Sequence, residues 1–159
     1  MEKTFRFDKV PSGVNDIKVS TDPFETVAQV VAVLCNYKND VASTIEMLKV
    51  LKGPAGVSEF EKQFLHDRLG GKEYKPYSFF DGATPENNYT PTMPLSITVT
   101  DNPYSYQEEN YANLFVRSSG ADSERSIKLR KKPSTGEWFM IDNFILSDIR
   151  IPTEQDPWA

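Results

Sequence analysis

The hydrophobic period of this chain changes once, across a long aperiodic stretch, and that change limits what the chain can fold into. Up to Leu69 the apolar residues recur at i, i+3, i+4 and i+7, the spacing of one face of a helix. From Leu95 onward they alternate, the spacing of a strand with one buried face. Helices first and strands second specify an α+β fold, with about three N-terminal helices packed on an antiparallel sheet of about four strands.

The helix boundaries are written in the sequence. In "DPFETVAQVVAVLCNYK", Asp22 is an N-cap, Pro23 fits the first helical position, and Glu25 follows where an acid belongs. Phe24, Val27, Ala28, Val31, Leu34 and Cys35 form its apolar face. The second helix, "NDVASTIEMLKVLKGP", is capped by Asn39 or Asp40 and stopped by Gly53-Pro54. Its stripe is Val41, Ile45, Leu48 and Leu51, with Met47 beside them. The short connection makes the two helices an antiparallel hairpin. In the third, "SEFEKQFLHDRLGG", Ser58 and Glu61 make a capping box and Gly70-Gly71 ends the helix. Its period turns Phe60, Phe64, Leu65 and Leu69 inward and leaves His66, Asp67 and Arg68 on or near the outward face.

Strands are predicted over 95–100, 111–119, 125–132 and 138–146, with turns at "GADSE" and "PSTGE". The spacing is that of an antiparallel meander. Residues 1–20 read as an N-terminal arm or edge strand, and 21–159 as a single α+β domain. Between the two halves lies "YSFFDGATPENNYTPTMP", Tyr77 to Pro94, which has neither period. A structureless loop this long is uncommon inside a compact domain, so the stretch is expected to be an ordered crossing held down by its aromatics.

Composition narrows the function. A chain of 159 residues can bury a real core without disulfides or metals. Its net charge of −5 argues against a nucleic-acid partner. Lys128-Leu129-Arg130-Lys131-Lys132 is the one basic run, and it reads as the solvated face of a strand before it reads as a phosphate patch. One cysteine, Cys35, excludes an internal disulfide and a cysteine-based zinc site, and its place on an apolar face makes it core. The N-terminal residues lack the apolar region of a signal peptide, and no apolar run is long enough to span a membrane. The expected setting is cytoplasmic, with no membrane, no metal and no cofactor.

Four stretches carry a resemblance: "MLKVLKGP" with "EKQFLHDRL", "PYSFFDGATPENNYTP", "SSGADSERSIKLRKK" and "SDIRIPTEQDPWA". Together they resemble the bacterial domain-of-unknown-function family DUF6935, from about Phe24 onward. The resemblance implies a bacterial protein and brings no activity, cofactor or catalytic residue. At the level of fold, helices followed by a curved antiparallel sheet ending in "GEWFMIDNF" are similar to NTF2-like (cystatin-like) domains. That group holds both enzymes and binding modules, so the likeness leaves function open.

No Ser-His-Asp arrangement, HExxH helix or P-loop is present, and no catalytic residue is assigned. The candidate ligand or partner surface is the aperiodic stretch with Tyr77, Phe80, Asp81, Glu86, Asn87, Asn88 and Tyr89, joined by Arg125 from the "SSGADSER" turn. The plainer reading of its aromatics is a strap over the core, and of its Asn and Asp residues turn formation. His66, Asp67 and Arg68 are secondary candidates, with the plainer reading that Asp67 or Arg68 ties the third helix to the following loop. So are Arg150, expected to pair with an acid, and Trp158, expected to pin the last residues by docking. Docking on its own domain is the plain reading, and docking on a partner is the functional one. The sequence therefore points to a non-enzymatic binding or protein-interaction domain, with an unknown protein or small ligand as partner and a homodimer open. The alternative is an NTF2-like ligand-binding protein or enzyme with a pocket between helices and sheet.

Overall fold

The computed structural model describes all residues, Met1–Ala159. Its strands are β1 (Glu2–Phe7), β2 (Leu95–Thr100), β3 (Tyr111–Val116), β4 (Arg125–Lys132) and β5 (Glu137–Asn143). Its helices are α1 (Pro23–Leu34), α2 (Val41–Lys52) and α3 (Glu59–Leu69). The five strands form one antiparallel sheet in the order β1-β2-β3-β4-β5. The expected count of about four strands is short by one, because the weakly alternating N-terminus is β1. It pairs with β2 from Glu2↔Thr100 to Phe7↔Leu95 across all three helices.

The caps form as read. Asp22 accepts from the Phe24 N–H at 2.9 Å, Asp40 from the Ser43 N–H at 3.1 Å, and Ser58 and Glu61 make the reciprocal capping box. The helix α1 lies on the sheet's inner face and is buried almost all round, from Thr26 to Leu34. The sequence shows one apolar face, but Val30, Ala32 and Val33 are buried too, because the sheet covers one side of α1 and other elements cover the rest. Gln29 is buried with both ends of its amide on the Lys18 backbone, at 2.8 and 2.9 Å, and so fastens the chain that leads into α1. The next residues reach both sheet edges. Asp22 pairs with Lys3 of β1 at 2.9 Å, and the Ser20 carbonyl accepts from the Trp138 N–H of β5 at 2.9 Å.

The strands β2 and β3 are paired only at Val99↔Val116 and Thr100↔Phe115. Beyond those pairs the sheet opens, and residues 77–92 fill the opening. The Asp81 N–H donates to the Ser96 carbonyl of β2 at 2.9 Å. On the other side the Ser119 N–H donates to the Ser78 carbonyl at 3.0 Å, and Ser118 and Ser78 share a hydroxyl hydrogen bond of 2.6 Å. The aperiodic stretch is therefore a strap that completes the sheet's hydrogen bonding where β2 and β3 part. Phe79, Phe80, Ala83 and Tyr89 are buried beneath it in the main core. Cys35 is buried in the same core, and burial pushes its thiol far up. No helix is long and apolar enough to cross a membrane.

Three expectations fail, two from periodicity and one from residue type. Val41, read into the α2 stripe, stands in the first turn of the helix and is 47% exposed. Phe60 of α3 is 80% exposed rather than inward, and α3 buries only Leu65 and Leu69. Trp158 is 92% exposed rather than docked. Periodicity identifies a helix face, but it does not supply a surface for that face to meet.

Candidate functional site

The outward turn of Phe60 leaves a groove of about 300 Å³ between α3 and the edge strand β5. Its floor is Leu34 of α1, Leu48 of α2, Leu65 of α3 and Met140 of β5. Val57, Phe60 and Phe64 line the α3 side, and Ile141, Asp142 and Asn143 the β5 side. Arg68 lies over the Phe64 ring at 5.0 Å and holds it in place. The volume is at the small end for a ligand pocket, and the lining has the mix such sites show, mostly apolar with a few polar groups.

Two local features place those polar groups. First, β5 bulges. Leu129 faces Met140 and Lys128 faces Asp142, so Ile141 is an extra residue. A bulge re-aims the groups beside it, and the freed Ile141 carbonyl lies 3.5 Å from Lys52 Nζ. Second, Lys52 is 4% exposed and paired with Glu61, the N3 residue of the α3 capping box. The pair fixes the start of α3 against the end of α2. Asn143 stands in the same wall with its Oδ1 buried and without any hydrogen-bond donor. A buried acceptor left unmatched costs about 1–3 kcal/mol, and because this oxygen is closed off from solvent the cost weakens the wall locally and leaves the groove's accessible lining mostly apolar.

The Lys52–Glu61 pair makes an unequal prediction. Glu61→Gln leaves a buried ammonium without its counter-charge and loses about 2 kcal/mol, scaled down because Glu61 is partly exposed. Lys52→Met removes the charge and keeps the volume, and is nearly neutral. The double variant recovers most of the Glu61→Gln loss. Urea denaturation of the four proteins checks this, and equal losses for the two single variants would contradict it.

A second cleft, of about 360 Å³, opens on the other side of Lys52 and Ile141 and is lined by Pro54, Arg130, Lys131, Lys132 and Phe139. These three cations form no ion pair, whereas neighbouring Lys128 reaches Glu108 at 4.0 Å. Groove and cleft thus form one continuous surface, apolar beside α3 and basic beside the β4–β5 turn.

The residues singled out in the sequence lie elsewhere. Tyr77, Asn88 and Tyr89 line a shallow hollow with Lys38, Tyr74 and Gln155, where Tyr74 and Tyr89 stack at 5.4 Å. Phe80 is buried under the strap. The Asn87 amide holds the strap's own turn together through the Thr84 and Thr90 N–H groups and the Gly82 and Thr90 carbonyls. Asp81, Glu86 and Asn88 are exposed at the surface. Arg125 spends its guanidinium on Ser123, Ser147 and Asp148, tying the "GADSE" turn to the chain after β5. His66 is exposed, with Asp67 Oδ1 3.7 Å away, beyond hydrogen-bond reach. Asp67 accepts from Gln63 and Arg68 covers Phe64, both within α3, so neither ties the helix to the next loop as expected. Arg150 does pair with an acid, Asp122, at 3.1 Å. No cluster of His, Cys, Asp and Glu suits a metal ion.

Sequence reasoning missed the groove. Its walls come from α1, α2, α3 and β5, and only the pairing of distant elements brings them together. A usable signal was present in α3, whose exposed positions include a phenylalanine among charged neighbours. A family model described as Domain of unknown function (DUF6935) matches residues 6–153. The chain belongs to that family. No curated protein and no solved structure matches it.

Proposed function

We propose that this member of the DUF6935 family is a non-enzymatic binding module, and that its working surface is the groove between α3 and β5. The carrying observation is Phe60, 80% exposed on the rim of an apolar floor made of Leu34, Leu48, Leu65 and Met140. Large exposed apolar side chains beside a concave apolar floor mark interaction sites. Of the charged groups that line the groove, Lys52 and Glu61 pair with each other and serve the fold, and Asp142 stands exposed on the β5 side. The strap, with Tyr77 and Tyr89, supports this surface from the far side of the core by keeping the sheet closed.

The groove lies between helices and sheet, where an NTF2-like domain would hold a small ligand, and a small apolar ligand is the second reading. Both readings share one test. The anionic apolar probe 1-anilinonaphthalene-8-sulfonate binds the wild type at a single saturable site. Phe60→Asp abolishes that binding without lowering the melting temperature, because Phe60 contributes little to the core. Glu86→Ala, on the strap, leaves it unchanged. Equal probe binding by Phe60→Asp and the wild type would overturn the assignment.

A further inference from the structure

We infer that the groove's occupant is Trp158 of a second copy of this chain, an inference that rests on the groove being the binding surface. Two independent matches carry it. Trp158 is 92% exposed, the most exposed of the large apolar side chains, while the groove is lined mostly by apolar side chains. Charges complete the fit. Trp158 follows Glu154 and Asp156, and the groove runs past Lys52 into a cleft whose Arg130, Lys131 and Lys132 form no ion pair. A tryptophan seated beside Phe60 and Phe64 thus sets its preceding acids beside the basic cleft. Aromatic anchors in pockets rimmed by complementary charge are the usual energetic centre of an interface.

The local chain presents the residue. The Trp158 N–H donates to Asp156 Oδ1 at 2.8 Å, and the tryptophan follows Pro157, so the segment is stiffened by its own turn. The tryptophan of one copy enters the groove of another. Exchanged reciprocally the contact closes as a two-fold dimer, and run head-to-tail it extends into rings or open chains. Weak, concentration-dependent association is expected, since the anchor is small compared with a standard interface.

The decisive experiment mixes two variants. Phe60→Asp destroys the groove and keeps the tryptophan, and Trp158→Ala does the reverse. Both positions are exposed, so both variants fold. By sedimentation velocity the wild type grows with concentration, each variant alone stays monomeric, and an equimolar mixture forms dimers and nothing larger. Trp158→Phe keeps a smaller aromatic anchor and associates more weakly than the wild type but more tightly than Trp158→Ala. A wild type that stays monomeric, or a mixture that does not associate, would overturn the inference. In either case retained binding of the anilinonaphthalene probe shows that the groove stands and only its proposed occupant is wrong.

Discussion

Replacing Tyr89 with alanine is expected to lower the melting temperature by roughly 8–16 °C, the equivalent of about 4 kcal/mol in a domain of this size. The ring is 2% exposed and stacks on Tyr74 with an interplanar angle of 10°. Its hydroxyl donates to the Arg150 carbonyl at 2.6 Å and packs against Gly120, where a Cβ would come within 2.2 Å of the oxygen. The residue also holds a positive φ of 52°, a strained conformation for a bulky side chain. Burial outweighs that strain only while the ring is anchored. Removing the ring opens a cavity and releases the strap from the chain around Arg150 together. Tyr89→Phe keeps the packing and loses only the hydrogen bond, about 1 kcal/mol. A loose linker would give a different result, a loss below 1 kcal/mol for Tyr89→Ala, which differential scanning calorimetry would show.

The second large effect is alkaline. Burial pushes the Tyr77 and Tyr89 phenols up to about 12, from an ordinary value near 10. Tyr77 donates to the Cys35 carbonyl at 3.3 Å and Tyr89 to the Arg150 carbonyl, so ionisation would remove both bonds and bury a phenolate. The unfolded chain loses these protons near pH 10, while the folded chain keeps them to about pH 12. In that window the folded state binds more protons, so stability falls as pH rises. The contribution is complete below pH 10 and is lost as pH rises through the folded values, at about 1–2 kcal/mol per tyrosine once solvent screening is allowed for. Lys75 works in the opposite sense. Burial, with repulsion from Lys72 and Arg68, lowers its pKa, so its penalty is relieved as pH rises toward its ordinary value near 10.5. The tyrosines therefore dominate above that point. Urea midpoints measured from pH 9 to 11.5 should fall steeply for the wild type and much less for the Tyr77→Phe/Tyr89→Phe double variant. Parallel curves would contradict the strap's burial.

Much of the architecture was legible because it is local. Asp22-Pro23, Asp40 and the Ser58–Glu61 box mark helix starts by satisfying N–H groups within a turn, and the structure uses all three sets. The alternations of 95–100 and 125–132 match β2 and β4 residue for residue. The last predicted strand, 138–146, is shorter in the structure, where β5 resumes its pairing after the bulge at Ile141 and ends at Asn143. Contacts that span the chain were not legible. Nothing in "TFRFDKV" names β2 as its partner across three helices. Nothing in "YSFFDGATPENNYTP" says that Ser78 and Asp81 bridge β3's extension to β2. Phe60 and Trp158 were misplaced for one shared reason. A large apolar side chain reads as buried by size alone, inside a helical pattern for Phe60 and outside any pattern for Trp158, and only its surroundings reveal that no core is there. Those two errors are the residues on which the functional proposal now rests.

The groove itself is tested most directly by an NMR titration of the isotopically labelled wild type with N-acetyltryptophanamide, which carries the same ring and donor as Trp158. The account predicts saturable shifts that cluster at Val57, Phe60, Phe64, Met140 and Asn143, and that vanish in Phe60→Asp. Shifts that cluster instead at Tyr74, Tyr77 and Asn88 would place the working surface on the strap and contradict it.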